Sequence, residues 1–404
     1  MAAVFDLRNR QLRLDTRPNI EPHFDDVDLA SIEELYLAYN TFGIGAAEAL
    51  GEYLAKMKLL KVAGLSDIFG TRTIDEIPQA LTSICRGLRS CTQLVELNLS
   101  GNAFGARVVE PLVPLITHHR SLQVLKLYDN GFGPEAGATV ARALSESARL
   151  SREEGLPSNL RVIICGRNRL EDRAALAWAE AIASHPNLRK VKLVDNGIRE
   201  AGFSALVRAL CNCRHLRYLS LRDTVSTEDL EEGDDRPDRR GWQEAIDLLQ
   251  GTSELEFLDL SDCCLPEPAI TALVTDVFAA GKTPRLHTVL LENNDIEEDS
   301  YAALTDAVVN HLPALRLLSL AWNNDLESDA VQSLSTALEE RGGHVIVDND
   351  HDEDLAGDVL DRQKDTEYVQ PPASEAEKDS RQDGIDAVDD LVKEIARMSV
   401  SNKP

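Results

Sequence analysis

The sequence predicts an α/β solenoid in which short parallel strands alternate with helices along the chain. Three observations support this fold class: a leucine frame recurs along most of the sequence, a small polar residue closes each copy, and an amphipathic stretch follows it. The clearest copy reads Leu94-x-x-Leu97-x-Leu99-x-x-Asn102. This frame is the pattern of a leucine-rich repeat.

About ten copies of the frame follow one another. We call the last residue of each copy its closing residue, and the closing residues are at positions 40, 67, 102, 130, 168, 196, 224, 263, 294 and 323. Three copies close on a residue other than asparagine, namely Asp67, Thr224 and Cys263. Most steps are 27 to 31 residues, and three longer steps of 35, 38 and 39 residues indicate insertions.

Each part of the frame predicts one element. An alternating apolar pair such as Leu125 and Leu127 places two side chains on one face of a short strand. The closing asparagine can then satisfy backbone groups in the turn that follows. A glycine such as Gly133 and the amphipathic stretch 136–144 predict a helix. We therefore expect a ribonuclease-inhibitor-like horseshoe, with a parallel sheet on its concave face and helices outside.

Three regions are predicted along the chain. Since no single repeat can bury its apolar face alone, residues 29–349 should form one cooperative repeat domain, with residues 1–28 as its N-terminal cap. Residues 350–404 are predicted to be a mostly disordered acidic tail, because positions 351–404 hold 15 acidic and 7 basic residues. Helical spacing at 385–398 predicts a short helix that is frayed, folded back on the body, or docked to a partner.

Composition excludes several classes of function. The chain of 404 residues has 69 acidic and 42 basic side chains, and its formal net charge of −27 argues against binding of nucleic-acid phosphates. A basic protein is the better expectation for a partner. The seven cysteines are odd in number and lack C-x-x-C spacing, which predicts neither a disulfide framework nor a zinc site. With no long apolar run, these features favour a reducing compartment, cytosol or nucleus.

The sequence contains no self-contained set of catalytic residues. There is no G-x-S-x-G elbow and no kinase signature set, and the histidines are not spaced as metal ligands. If the chain accelerates a reaction, most of the active site should therefore belong to a partner.

One feature on the predicted binding side is an insertion after the second strand. Residues 66–78 read Ser-Asp-Ile-Phe-Gly-Thr-Arg-Thr-Ile-Asp-Glu-Ile-Pro and carry a single arginine, Arg72. The insertion should lie on the rim, the edge of the sheet where strands lead into helices. Arg72 is a candidate for contact with a partner, and the alternative is an ordinary surface loop in which Arg72 pairs with Asp75 or Glu76.

A second feature is a set of acids at one repeat position. Asp129, Asp195, Asp223 and Asp262 each come immediately before a closing residue, so they should line the same rim. Such a row would attract a basic partner and raise its rate of association. The alternative is an ordinary solvated face.

Three segments resemble in sequence the Ran GTPase-activating protein family, and the acidic tail resembles that of its shorter, fungal-type members. These segments are residues 66–78, Asn130-Gly-Phe-Gly-Pro134 and Ile164-Cys-Gly-Arg-Asn-Arg-Leu-Glu171, and the resemblance extends over roughly residues 30–345. It implies a repeat domain that binds GTP-loaded Ran and accelerates GTP hydrolysis. In this family that activity keeps cytoplasmic Ran in the GDP form for nucleocytoplasmic transport, which implies a cytoplasmic protein.

The resemblance also implies roles for particular residues. Arg72 matches the essential arginine of the family, which is expected to hold Ran at the interface rather than to act as an arginine finger. A glutamine of Ran orients the attacking water, and the activator supplies positioning. In the turn Asp129-Asn130-Gly131, Asp129 occupies the position where the family presents an asparagine, and Asn130 is the closing residue. Ile74 stands where the family carries a basic residue.

The candidate site is therefore divided into two sets. The catalytic candidates are Arg72, Asp129 and Asn130, and the partner-binding candidates are Asp67, Arg167, Arg169, Asp195, Asp223 and Asp262. We expect a monomer with no metal or cofactor of its own, acting on a GTPase that brings GTP and Mg²⁺, alone or with a Ran-binding protein.

The alternative function is that of a ribonuclease-inhibitor-like repeat protein that only binds. Its concave acidic face would sequester a basic protein without accelerating any reaction. The Arg72 insertion favours the activator, because a pure inhibitor does not need it.

Overall fold

A computed structural model describes residues 3–226 and 241–347 of the chain. These residues form two compact units, each described separately below. The first extends to Leu188 and includes Asp195–Gly197, and the second comprises Arg189–Val194 and the residues from Ile198 onward. The predicted tail at 350–404 and its helix at 385–398 lie outside the described residues. The prediction that residues 29–349 are one cooperative domain concerns unfolding and stays a prediction.

The described part of the first unit contains eight strands. Six of them pair in parallel in the order β1-β3-β5-β6-β7-β8, and β2 pairs in parallel with β4. Their bounds are β1 (Ala3–Asp6), β2 (Arg13–Leu14), β3 (Ile32–Tyr36), β4 (Thr41–Phe42), β5 (Val62–Gly64), β6 (Glu96–Asn98), β7 (Val124–Lys126) and β8 (Val162–Ile164).

Helices follow the strands of the first unit, as the repeat pattern predicts. They are α1 (Arg17–Ile20), α2 (Ile44–Leu54), α3 (Glu76–Leu88), α4 (Leu112–His118), α5 (Gly133–Glu153) and α6 (Glu171–Ser184). Short 3₁₀ segments at Glu21–His23, Leu29–Ser31 and Gly105–Arg107 complete the unit.

The second unit repeats the same alternation. Its strands pair in parallel in the order β9 to β14. They are β9 (Lys190–Lys192), β10 (Tyr218–Ser220), β11 (Phe257–Asp259), β12 (Thr288–Leu290), β13 (Leu317–Ser319) and β14 (His344–Ile346). The helices are α7 (Glu200–Leu210), α8 (Gly241–Gln250), α9 (Glu267–Ala272), which continues as a π-helix over Leu273–Phe278, α10 (Glu298–His311) and α11 (Asp329–Glu339).

The register of the strands stacks the apolar frame positions on one another. In the first unit Leu35, Ala63, Leu97, Leu125 and Ile163 are direct partners in successive strands, and all five side chains are buried. Burial of one such leucine contributes about 2 kcal/mol to the free energy of unfolding. A repeat gains this contribution only when the neighbouring repeats cover its apolar side chains. The predicted α/β leucine-rich-repeat fold is confirmed.

Closing asparagines form a continuous ladder beneath the turns. The backbone N–H of Asn102 donates to Oδ1 of Asn130 at 3.0 Å, and the N–H of Asn130 donates to Oδ1 of Asn168 at 3.1 Å. The backbone N–H of Asn168 in turn donates to Oδ1 of Asn196 at 2.9 Å. Since these groups are buried, each amide oxygen satisfies a backbone donor that would otherwise lose its hydrogen bond to water.

The second repeat closes one residue later than the sequence predicts. Ile68, not Asp67, occupies the ladder position, because the Ile68 N–H donates to Oδ1 of Asn102 at 2.9 Å and its side chain is buried. Asp67 stands one position earlier, with a φ of 46°. The prediction failed because an isoleucine can supply the backbone donor of the ladder although its side chain has no polar atom.

The two other unusual closing residues are where the sequence places them. The Thr224 hydroxyl donates to the carbonyl oxygen of Leu221, and the Cys263 thiol donates to the same oxygen at 3.3 Å. Both side chains are completely buried. Each therefore replaces a donor of the kind that the Asn102 and Asn168 amides supply in the first unit.

A second set of hydrogen bonds ties successive repeats together on the helix side. Cys91, His119 and His185 each follow a helix and donate to a carbonyl oxygen in the helix of the preceding repeat. The acceptors are the oxygens of Leu54, Leu88 and Leu144, at 3.2, 3.1 and 3.0 Å respectively. Because a carbonyl only accepts, Nε2 of both histidines carries the proton. Nδ1 of His185 therefore accepts from the Ser158 hydroxyl at 2.5 Å.

Burial of His185 makes the stability of the fold depend on pH. Desolvation lowers the pKa of His185 from 6.5 to about 4. The unfolded chain takes up this proton near pH 6.5, so between the two values the unfolded state binds more protons than the folded state. We expect the free energy of unfolding to fall as pH is lowered through this window, by about 3 kcal/mol for this residue.

Urea unfolding at about pH 7 and about pH 4 measures this contribution. His185→Asn should remove it, and the matched substitution His118→Asn, at an exposed histidine, should leave the pH dependence of the parent chain in place. An unchanged pH dependence in His185→Asn would contradict the assignment.

Candidate functional site

Arg72 is turned inward rather than toward solvent. Only 5% of its side chain is exposed. Its Nε donates to the hydroxyl of Thr41 at 2.8 Å, and Nη2 donates to the carbonyl oxygen of Thr41 at 3.0 Å. Nη1 forms an ion pair with Oδ1 of Asp15 at 2.5 Å, and this contact holds the pKa of the Asp15 carboxyl below its usual range. The arginine therefore joins the second repeat to the N-terminal segment.

The alternative prediction, in which Arg72 pairs with Asp75 or Glu76, is wrong. Glu76 instead accepts from both the backbone N–H and the hydroxyl of Thr73, each at 2.9 Å, and its own N–H donates to the Thr73 carbonyl oxygen at 3.1 Å. This reciprocal contact is typical of a helix start and fixes the beginning of α3. The loop is thus fixed on both sides of Arg72.

The exposed surface of the loop carries no charge from Arg72. Thr71, Thr73 and Ile74, which we call the loop surface, are exposed, Ile74 to 53%. Thr71 has a φ of 67°, an unusual value for a β-branched residue that costs about 1 kcal/mol or more. The Arg72 N–H, which donates to the Phe69 carbonyl oxygen at 3.0 Å, helps to hold this turn.

Asp129 and Asn130 have opposite environments. Asn130 is completely buried and belongs to the ladder, so its side chain is not available to a partner. Asp129 is exposed, with a φ of 53° and its backbone N–H donating to the Gly166 carbonyl oxygen at 2.9 Å. Of the two catalytic candidates in this turn, the structure brings only Asp129 to the surface.

Backbone hydrogen bonds place the Arg72 loop and the Asp129 turn on the same rim. The backbone N–H of Asp67 donates to the carbonyl oxygen of Ser100 at 2.9 Å, and the N–H of Gly101 donates to the carbonyl oxygen of Tyr128 at 2.8 Å. Asp67, Gly101 and Asp129 are therefore equivalent residues of neighbouring repeats. At about 4.8 Å between strands, the two turns are separated by about 10 Å, within reach of one globular partner.

The acidic row has a conformational cause. All four aspartates adopt the left-handed backbone conformation, with φ between 52° and 58°, in which aspartate and asparagine are favoured over most residues. Asp129 and Asp195 belong to the first unit, and Asp223 and Asp262 belong to the second. This backbone conformation therefore favours aspartate before a closing residue whether or not a partner binds there, although other residues such as Tyr39 and Arg167 also occupy the position.

Arginines neutralise part of this row. In the first unit Arg167 forms an ion pair with Asp195 at 3.5 Å, and in the second unit Arg222 pairs with Asp262 at 3.1 Å. Asn293 also donates to Asp262 at 2.6 Å. The rim is thus a mixed polar surface rather than a uniformly anionic one, and its attraction for a basic partner stays a prediction.

The remaining partner-binding candidates are at or near the surface. Arg167 and Arg169 are both exposed and flank the buried Asn168 of the ladder. Asp67 is half-buried, and burial raises the pKa of its carboxyl. Their contacts with a partner stay predictions.

Sequence reasoning missed several residues of this surface. Asp15 and Thr41 hold Arg72, and no local sequence pattern connects them with the loop. Tyr39 and Trp322 precede closing residues in the first and second unit, and they are 56% and 48% exposed. The repeat frame itself could have identified these two, since it places every such residue on the rim.

The candidate site consists of the Arg72 loop, the Asp129 turn and the other exposed rim residues of each unit. In residues 3–226 and 241–347 there is no group of three or more His, Cys, Asp or Glu side chains that could hold a metal ion. The same residues include no helix that is long and apolar enough to cross a membrane. The fold and the site define a leucine-rich-repeat protein with exposed loop and turn residues along its rim.

Similarity to known proteins identifies the family. The chain is 31% identical over 347 residues to Ran GTPase-activating protein 1 of Saccharomyces cerevisiae, which spans 83% of this chain and 82% of that protein. It therefore belongs to the Ran GTPase-activating protein family. It is also 37% identical over 195 residues to Ran GTPase-activating protein 1 of Xenopus laevis and 33% identical over 213 residues to the Drosophila melanogaster protein. These matches cover 34% and 36% of the two animal proteins.

Other comparisons are less specific. No protein-family model matches the chain. Among solved structures, an internalin of Listeria monocytogenes is 15% identical with a TM-score of 0.42, covering 80% of this chain and 82% of that chain. The leucine-rich-repeat ectodomain of the Arabidopsis thaliana receptor kinase GASSHO1/SCHENGEN3 is 17% identical with a TM-score of 0.42, covering 80% and 32% respectively.

The environments of Asn130 and Asp129 predict different effects on stability. Asn130→Ala removes the acceptor of the Asn102 N–H and should lower the free energy of unfolding by about 2 kcal/mol. Asp129→Asn should change it by less than about 0.5 kcal/mol, since asparagine tolerates the same backbone conformation. Urea unfolding at neutral pH measures both, and equal effects would contradict the assignment of Asn130 to the ladder.

Proposed function

We propose that this chain is a GTPase-activating protein for a Ran-type small GTPase, that it binds the GTP-loaded form, and that it accelerates GTP hydrolysis. The observation that carries the proposal is the match to Ran GTPase-activating protein 1 of Saccharomyces cerevisiae over 82% of that protein. The fixed Arg72 loop and the exposed Asp129 turn on one rim supply a surface on which such a partner can be positioned.

The chemistry follows from what the chain itself can contribute. GTP and Mg²⁺ come with the partner, whose own residues activate the water. A positioning role for this chain is consistent with an arginine that already makes three contacts within the protein, because an arginine finger must reach the phosphates. Asp129 can only accept hydrogen bonds when it is ionised, so its partner group must be a donor.

The biological setting is part of the same proposal. Hydrolysis in the cytoplasm would keep Ran there in the GDP form and give nucleocytoplasmic transport its direction. The chain acts as a monomer, alone or with a Ran-binding protein, and needs no metal or cofactor of its own.

The binding-only alternative receives less support from the sheet. It requires an acidic face opposite the helices, but in β7 that face carries Val124 and Lys126, and Lys126 pairs with Glu96 at 2.9 Å. In the second unit the stacked rings of Tyr218 and Phe257 lie on the corresponding face, with centroids 4.0 Å apart. These strand positions therefore do not form the anionic surface that capture of a basic protein would need.

Substitution of Arg72 tests the proposed function. The parent chain at catalytic concentration should accelerate single-turnover GTP hydrolysis by Ran. Arg72→Ala should lower that rate by about 100-fold, because the loop loses the contacts that fix its position relative to the bound GTPase. The rate of GTP loss from loaded Ran is the measurement.

Arg142→Ala is the matched control for this experiment. Arg142 is exposed on α5, away from the loop, and its substitution should leave the rate unchanged. If the parent chain left hydrolysis at the intrinsic rate of Ran, the activator proposal would fail and the binding-only alternative would gain support.

Asp129→Asn tests the carboxylate on the rim. We expect the activity to be maintained or raised, because the amide tolerates the same backbone conformation, adds a donor and removes a charge that repels phosphate. Asp195→Asn, at the same repeat position but paired with Arg167, is the control. A large loss of activity in Asp129→Asn alone would show that the carboxylate has a role of its own.

A further inference from the structure

The position of Asp15 is set by backbone pairing between the N-terminal segment and the first repeat. In the parallel pair β2–β4, Arg13 faces Thr41 and Leu14 faces Phe42. The N–H of Gly43 donates to the Leu14 carbonyl oxygen at 2.7 Å, directly beside Asp15. The Asp15 carboxylate is thus attached to a fixed part of the backbone.

Three segments pack closely together at Arg72. A Cβ atom on Gly43 would lie 2.9 Å from the Asp15 carbonyl oxygen and 3.0 Å from Nη1 of Arg72. Only a glycine allows the N-terminal segment, the first repeat and the Arg72 loop to approach this closely. The ion pair is therefore part of a packed junction rather than a chance surface contact.

The hydroxyl of Thr41 links the arginine to the loop backbone. It accepts from Nε of Arg72 at 2.8 Å and donates to the carbonyl oxygen of Gly70 at 2.5 Å. One hydroxyl can perform both functions at once. Gly70 is followed by Thr71 in its left-handed conformation, so Thr41 and Arg72 together hold the part of the loop where the backbone is under strain.

We propose that Asp15 and Thr41 are positioning residues of the activating site, which they complete by fixing Arg72 as an internal anchor of the loop. The proposal rests on the proposed function and extends it to the N-terminal segment. Asp15 compensates the charge of Arg72, which stays inside the junction when the GTPase binds, and the loop surface of Thr71, Thr73 and Ile74 makes the contact. The three hydrogen bonds make this surface rigid. Rigidity favours binding, because a loop that is already ordered loses less entropy when the GTPase binds.

A mechanism in which Arg72 leaves the junction predicts the opposite change in activity. If Arg72 had to leave the junction to contact the GTPase, its three contacts would oppose activation, and weakening them would raise the activity. If Arg72 is an internal anchor, weakening the same contacts lowers the activity. The sign of the change therefore decides between the two.

Two nearly isosteric substitutions weaken the junction. Asp15→Asn removes the charge opposite Arg72, and Thr41→Val removes the hydroxyl, whereas Thr41→Ser retains it. With full-length chain and GTP-loaded Ran, we expect kcat/KM to fall about 10-fold or more in Asp15→Asn and Thr41→Val and to stay near the parent value in Thr41→Ser. Adding Asp15→Asn to Arg72→Ala should cause no further loss, because both act through one contact.

Two controls separate the Arg72 contact from a general loosening of the N-terminal segment. Arg13→Ala removes the other ion pair of Asp15, at 3.3 Å, and Glu52→Gln removes the Arg17–Glu52 pair, at 2.5 Å, which joins α1 to α2. Both should retain the parent activity. A loss in Glu52→Gln equal to that in Asp15→Asn would overturn a specific role for Asp15.

Limited trypsin digestion reports on the junction without Ran. Because trypsin cleaves after arginine and Arg72 is nearly buried, cleavage there should be slow in the parent chain and faster in Asp15→Asn and Thr41→Val, but not in Glu52→Gln. Faster cleavage with unchanged or raised activation of hydrolysis would overturn the proposal while leaving the activator function intact. Absence of activation by the parent chain would instead refute the proposed function itself.

Discussion

The hydrogen bond from one closing residue to the next is the constraint on which the rest of the structure depends. Where the Asn102 N–H reaches the Asn130 amide, the chain must turn at a fixed point of each repeat, and the residue just before that point is forced into the left-handed region. That residue is then directed outward. The same contact that buries Asn130 therefore exposes Asp129, and the candidate site follows from the geometry of the ladder.

Local patterns predict the parts of the molecule that local forces determine. The leucine frame predicts the strands of the repeats, the helices that follow them and nine of the ten closing residues, because period and burial are readable over a few residues. It fails at Ile68, where a backbone donor is enough and the side chain carries no polar signal. It also fails to connect Asp15 with Arg72, which are 57 positions apart and meet only because β2 pairs with β4.

In the reaction we propose, the chain contributes an ordered binding surface rather than reactive groups. Arg72 is compensated by Asp15, Asp195 by Arg167 and Asp262 by Arg222, so several charges at or near the rim are paired within the protein. A partner with its own nucleotide and metal ion needs a surface of defined shape more than it needs additional charge. The strained backbone at Thr71 is compatible with this role, since strain persists only where surrounding contacts enforce it.

The left-handed residue before each closing position also bears on how such a protein can change over time. Tyr39, Asp129, Arg167 and Trp322 share one backbone conformation, yet their side chains have little in common. The interior beneath them is built from other positions and does not depend on which side chain is presented. Each repeat thus has one exposed position at which the side chain can be substituted without a change in the buried scaffold. A family built in this way can acquire new binding partners by single substitutions.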